Sequence, residues 1–302
     1  MEIKGFRGAV LMLDEKINEK MPEKATVLIF PGGCYSWLSQ RESFPVERAL
    51  HRAGFRAAVL CYEVEKEVLG LAPLKQAAWG VAKVREIYPG DPVYVLGFSA
   101  GSHCAGSLAV HWNHRDWEGK DLFQEVKEFL GDPSLPADCF RPDRAALSYP
   151  VISSGPYAHA DSFMRLTGIP AEEIRKISAE EIKNTTEETA DRGNGIIAEE
   201  ELKRRMLQWF SLEKQADKDT PPVFLWHTAE DESVPVQNSL LFADALVKAK
   251  VPVEMHIFPH GVHGLSLATE EVAQPENKRF ADPHVAGWFD ALVRWMKMKE
   301  IV

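Results

Sequence analysis

Three groups of residues have the types and spacing to do chemistry together. In the first, Gly97-Phe98-Ser99-Ala100-Gly101 sets a serine between two glycines, after the apolar run Val93-Tyr94-Val95-Leu96 and before the small residues Cys104-Ala105-Gly106-Ser107-Leu108-Ala109. That order predicts a strand, a sharp elbow and a tightly packed helix, with the serine hydroxyl at the carboxyl edge of a sheet beside a helix N-terminus. A nucleophile can be presented there and developing negative charge tolerated. Gly97 and Gly101 make the elbow possible, because a Cβ at either place would strike the neighbouring strand or helix. The second group is Glu230-Asp231-Glu232, three carboxylates following the apolar run Pro222 to His227. The third is His260 and His263, separated by Gly261 and Val262 after the run Pro252 to Phe258. Serine, carboxylate and imidazole are the set that nucleophilic acyl transfer needs.

A further block, Pro31-Gly32-Gly33, ends the apolar run Thr26-Val27-Leu28-Ile29-Phe30. Glycines free the backbone amides of such a loop to point into the crevice that holds Ser99. The amides of Gly33 or Cys34, together with that of Ala100, are therefore the expected oxyanion donors.

Four blocks, Pro31-Gly32-Gly33-Cys34-Tyr35, Gly97 to His103, Asp231-Glu232-Ser233-Val234-Pro235 and His260-Gly261-Val262-His263-Gly264, carry a resemblance that spans nearly the whole chain. The sequence resembles the α/β-hydrolase superfamily, and within it the acetyl xylan esterase-like branch, related to feruloyl-esterase-like carboxylesterases. Two positions depart from the commoner pattern of that branch, Cys34 and Ser102, where glycine is usual. The resemblance selects Asp231 among the three carboxylates, since the family's acid stands three residues before Val-Pro. It selects His263 over His260, and Gly264 is expected to leave the backbone mobile enough to aim the ring. It implies a Ser99-His263-Asp231 triad acting through an acyl-enzyme, with no metal or organic cofactor. The implied substrates are small acyl esters, acetyl first, of sugars such as xylo-oligosaccharides. A peptidase or amidase, or a general short-chain carboxylesterase, uses the same machinery and is the alternative. Tyr35 and Trp37, which follow the oxyanion loop, offer aromatic faces for a sugar ring.

The elements that must position these residues alternate along the chain. Short apolar runs read as buried parallel strands at 26–30, 57–62, 93–97, 145–150, 222–227 and 252–258. Between them, helical spacing is clear at 44–53, at 74–88 (Leu74, Ala77, Val81, Val84, Tyr88), at 240–247 and at 285–296. Buried strands alternating with amphipathic helices imply one α/β domain over 1–302, with a mostly parallel twisted sheet and helices on both faces. Two stretches leave this rhythm. One is 112–143. The other is 153–215, charged in its middle yet carrying Leu202, Met206 and Trp209 as a stripe, and it reads as a lid or cap over the site.

Composition bounds the partners. The chain has 302 residues, 45% of them hydrophobic, and a formal charge of −10. That charge disfavours nucleic acid and anionic membrane surfaces, so a neutral small-molecule or oligosaccharide ester is the expected partner. No apolar run is long enough to cross a bilayer. Residues 1–20 are charged throughout rather than built as a secretory leader, which makes the cytoplasm the expected location. The four cysteines, Cys34, Cys61, Cys104 and Cys139, lack metal or disulfide spacing and are expected to be reduced, with Cys61 and Cys104 in core packing. Of the ten histidines, His111 with His114 lacks further ligands for a metal, and His103, one helical turn after Ser99, is expected to be a buried hydrogen-bonding residue. Homo-oligomerisation is left open.

Overall fold

Side chains along a strand alternate between its two faces, and the central strands here are apolar on both. The computed structural model, which describes residues 1–184 and 196–299, shows why. One eight-stranded sheet is covered on both sides. Its strands are β1 (Glu2–Lys4), β2 (Val10–Leu13), β3 (Glu23–Phe30), β4 (Phe55–Cys61), β5 (Val93–Phe98), β6 (Arg144–Ser148), β7 (Val223–Thr228) and β8 (Val253–Phe258). The spatial order is β1-β2-β4-β3-β5-β6-β7-β8. From β4 through β8 every neighbouring pair is parallel, while β1 and β2 run antiparallel at one edge.

The described residues also form ten α-helices: α1 (Glu15–Asn18), α2 (Phe44–Arg52), α3 (Ala72–Ile87), α4 (Ala100–His111) and α5 (Gln124–Phe129) come first. They are followed by α6 (Ala160–Thr167), α7 (Ala171–Asn184), α8 (Ile196–Phe210), α9 (Gln237–Lys248) and α10 (Pro283–Met296). On one face, Val27, Ile29, Leu96, Phe98, Phe224 and Trp226 pack with Val46 and Leu50 of α2 and with Trp288 and Leu292 of α10. On the other, Leu28, Phe30, Val95 and Leu225 pack with α3, α4 and Phe242 and Leu246 of α9. The period-two split of one strand between two cores explains the continuous apolar runs.

The strands and helices expected from periodicity are all present, with ends shifted by at most three residues. The first 25 residues hold two strands and a short helix that periodicity did not signal. β2 is four residues long, pairs with the three-residue β1 and reaches the rest of the sheet only through β4, at least 45 residues later, so its local sequence says little. Cys61 is not core but half-buried at the end of β4, with its sulfur 3.7 Å from that of Met12. Cys104 is buried as expected, and all four cysteines are free thiols. Among the described residues no helix is long and apolar enough to cross a membrane.

The insertion expected at 153–215 is helical on either side of residues 185–195, which lie outside the described residues. Its apolar face only partly matches the stripe read from the sequence: Trp209 is buried and Met206 half-buried, but Leu202 is not part of it. Leu202 is exposed, and Leu207, Trp209 and Phe210 are the buried face of α8. Phe163, Leu166 and Ile174 join them in the same core as α4, so the described part is anchored to the body of the fold.

One carboxyl is placed at a cost. Burial, and then the charge of Asp14, push Glu47 of α2 up from an ordinary 4.5 to about 7, against the opposing pull of Arg48. A carboxyl whose folded value is raised favours the folded state at low pH and loses that advantage as pH rises through about 7. Glu47→Gln is therefore expected to raise the thermal midpoint at about pH 8 and to leave it nearly unchanged at about pH 4.5, which unfolding scans at the two pH values would measure.

Candidate active site

The elbow forms as its glycines require. Ser99 lies between β5 and α4 with φ 53° and ψ −119°, a conformation that a non-glycine residue holds only when its surroundings enforce it. Enforcement comes from close backbone approach: a Cβ on Gly97 would stand 2.4 Å from Ser102 Cα, and one on Gly101 would stand 2.1 Å from the Phe30 carbonyl oxygen. Every residue of α4 is buried. Ser102, where the resembling branch has glycine, exchanges hydrogen bonds with β6, donating to the Ser148 carbonyl and accepting from the Ser148 amide, both at 3.0 Å.

His263 stands after β8 with Nε2 2.8 Å from Ser99 Oγ and Nδ1 2.6 Å from Asp231 Oδ2. Asp231 follows β7 with its side chain shut from solvent. Burial alone would raise its carboxyl. The hydrogen bonds from His227 and His263, the charge of His263 and the Val234 amide outweigh burial and hold it well below the usual carboxylate range. Ser233 and Val234 amides donate to Oδ1 at 3.0 and 2.9 Å, which leaves Oδ2 for the imidazole. The order serine hydroxyl, imidazole, ionised carboxylate is the arrangement that lets an imidazole take the hydroxyl proton during attack on a carbonyl.

The competing residues have other partners. His260 is solvent-facing, with Nδ1 2.8 Å from Glu230 Oε1. Glu232 is exposed on the loop before α9. Gly264, expected to give mobility, has φ +80° and is held: its carbonyl accepts from Arg41 at 2.8 Å.

Ser99 and His263 open into a cavity of about 510 Å³ whose wall includes Gly33, Cys34, Trp37 and His159. The amides of Gly33, Cys34 and Ala100 have no acceptor among the described residues, whereas that of Gly32 is taken by Glu42 Oε2 at 2.9 Å. Burial, followed by the charges of Asp161 and Glu42, raises the Cys34 thiol, which keeps it protonated beside the site.

Of the two aromatic residues, Trp37 is 57% exposed on the cavity wall. Tyr35 is not there. Cys34 and Tyr35 both have left-handed backbone, φ 56° and 57°, and the loop turns the Tyr35 ring inward to 1% exposure. Its hydroxyl donates to His103 Nδ1 at 2.8 Å, and the other ring nitrogen of His103 donates to the Phe210 carbonyl at 2.8 Å. His103 is thus the buried strut expected of it, pushed down to about 4 by burial against the opposing bond to Phe210. His111 and His114 are likewise engaged, with the Trp209 carbonyl and Asp217.

Four contributors were not foreseen. His227 donates from Nε2 to the Val234 carbonyl and stands 3.3 Å from Asp231 Oδ2. Arg279 donates from Nε to the His263 carbonyl at 2.9 Å, and His159 enters the cavity from the insertion. Glu42 accepts from Tyr149 Oη at 2.7 Å as well as from Gly32, and Tyr149 Oη accepts from the Ser266 amide at 3.0 Å. Only the histidine at the end of a buried strand carried a signal in sequence. The other three are polar residues in loops, where such residues are ordinary.

Comparison with known proteins adds to this geometry. Residues 173–293 match the prolyl oligopeptidase family. A solved acetyl ester-xyloside bifunctional hydrolase from Caldicellulosiruptor lactoaceticus is 31% identical, with a TM-score of 0.65, over 96% of this chain and 88% of that one. The chain belongs to the α/β-hydrolase superfamily. A sugar hydrolase from Lactococcus lactis shares this hydrolase fold at 25% identity and a TM-score of 0.62, over 98% of this chain and 96% of that one. Endo-1,4-beta-xylanase B of Butyrivibrio fibrisolvens is 35% identical over 253 residues, 81% of this chain and 33% of that protein. The chain thus spans about a third of the length of that curated relative.

The Glu42 contacts tie the loop of Gly32 to the loop of His263 through Tyr149. Glu42→Ala would leave a buried amide and a buried hydroxyl without their partner, at about 1–3 kcal/mol each. The denaturation midpoint is expected to fall accordingly, with Glu42→Gln falling less because its amide oxygen still accepts.

Proposed function

We propose that this protein is a serine carboxylesterase that removes small acyl groups, acetyl first, from acylated sugars such as xylo-oligosaccharides. The observation that carries the reading is the continuous hydrogen-bonded line from Asp231 through His263 to Ser99. In this mechanism His263 accepts the Ser99 proton as the hydroxyl attacks the ester carbonyl, and Asp231 holds the imidazole's tautomer and stabilises the imidazolium. The amides of Ala100 and of Gly33 or Cys34 receive the oxyanion. His263 then returns the proton to the leaving alcohol, and water activated by the same ring releases the acid.

The sugar assignment draws on the Caldicellulosiruptor relative, named for an acetyl ester and a xyloside, and on the xylanase relative. Polar cavity walls and an exposed indole at Trp37 suit a hydroxyl-bearing ring with an apolar face. The insertion at 153–215 would form one side of this binding site as a cap, through His159. A peptidase reading is favoured by one observation, the match of residues 173–293 to the prolyl oligopeptidase family.

A single screen separates these. Acetate release from acetylated xylo-oligosaccharides is compared with turnover of aryl acetate, butyrate and ferulate esters and of a proline-containing peptide amide. The expected order places the sugar acetate first. Faster cleavage of the amide, or of aryl acetates over sugar acetates, would overturn the assignment. In parallel, a fluorophosphonate is expected to label Ser99 and to leave Ser99→Ala unlabelled. His263→Ala is expected to lower kcat by at least about a thousandfold.

A further inference from the structure

An acetyl group offers a protein only one polar atom, its carbonyl oxygen, and the backbone amides beside Ser99 suffice for that. A polar side chain elsewhere in the cavity is therefore free to meet the alcohol half of the ester. His159, at the start of α6, is such a side chain. Its Nδ1 is 2.9 Å from Ser162 Oγ, a buried hydroxyl with no other partner among the described residues. Its Nε2 has no protein partner among the described residues, and the half-buried ring lies on the wall of the cavity that holds Ser99 and His263.

We infer that His159 is a specificity-determining residue whose Nε2 hydrogen-bonds a hydroxyl of the alcohol next to the scissile ester. The inference rests on the esterase reading above, which it deepens: the substrate class becomes esters of polyhydroxy alcohols. One ring nitrogen is tethered, so the other is aimed without the entropy cost of a free long side chain. The ring also has the right charge. Burial first, and then the charge of His263, push His159 down, against the pull of Asp161 and Asp231, so it remains neutral. A permanent cation at this position would oppose the imidazolium that forms on His263, and a neutral imidazole does not. The same wall carries Gln40, Asn277 and Arg279, which can serve the alcohol's remaining hydroxyls.

The test uses two acetates that differ in hydroxyls: glyceryl monoacetate and ethyl acetate. Wild type is expected to prefer the monoacetate in kcat/KM. His159→Phe, which keeps the ring's bulk without its nitrogens, is expected to lose about five- to tenfold on the monoacetate and less than about twofold on ethyl acetate. His159→Gln should restore part of the preference. Should the phenylalanine variant not fold, Ser162→Ala carries the test: an untethered ring should reduce the preference with ethyl acetate turnover unchanged. Equal losses on both esters, no loss on either, or a wild type without preference would overturn the inference. Failure of the sugar reading looks different: xylo-oligosaccharide acetates turn over no faster than aryl acetates, while the monoacetate preference and its loss in His159→Phe persist.

Discussion

The site depends on a carboxylate kept ionised out of reach of water. Asp231 has no exposed side-chain area, and an isolated charge in such a place would be neutralised by taking up a proton. Two backbone amides and two imidazoles prevent this, and they come from three different places in the fold. The amides belong to the turn that follows β7. His227 is brought back by the end of β7 itself, and His263 arrives from the loop after β8. Because the two amides occupy Oδ1, Oδ2 is left to hold His263 Nδ1 at 2.6 Å, and the ring so held has Nε2 2.8 Å from Ser99 Oγ.

The serine is fixed by a different force, steric exclusion. β5 and α4 approach each other and β3 so closely at Gly97 and Gly101 that the turn between them has no roomier alternative, and Ser99 takes the strained backbone left to it. Ser99 and His263 are therefore positioned independently, one by packing and the other by hydrogen bonding, and they meet because β5, β7 and β8 end along the same edge of one mostly parallel sheet. Arg41, Arg279 and the pair Glu42 and Tyr149 then join the loops that carry these groups. They add polar ties where loops would otherwise rely on their own turns, and they explain why Gly264 is a fixed corner and not a hinge.

Much of this was legible in the residues because the relevant physics is local or periodic. Continuous apolar runs mean strands covered on both faces, helical spacing means amphipathic helices, and glycine on both sides of a serine means a forced turn. From these alone the parallel sheet, the helices on both faces, the elbow at Ser99 and the amide-bearing loop at Gly33 and Cys34 follow. The choice of Asp231 and His263 from their neighbours came from likeness to a family; in the structure those two residues are hydrogen-bonded, and Glu230 and His260 pair with each other.

Tertiary structure alone decided the direction in which loop side chains point and which polar residues share a neighbourhood. Two successive left-handed residues send Tyr35 into the core while Trp37 faces the cavity, and sequence spacing cannot distinguish them because both are aromatic and nearly adjacent. Glu42, His159 and Arg279 lie up to 237 residues apart in the chain, and each looks like any polar loop residue until folding closes the distance. β2 has the same character: its four residues join the sheet through the hydrogen-bonding edge that β4 supplies. The sequence encodes periodicity and steric necessity within a few residues, whereas the partnering of buried polar groups is a property of the assembled fold.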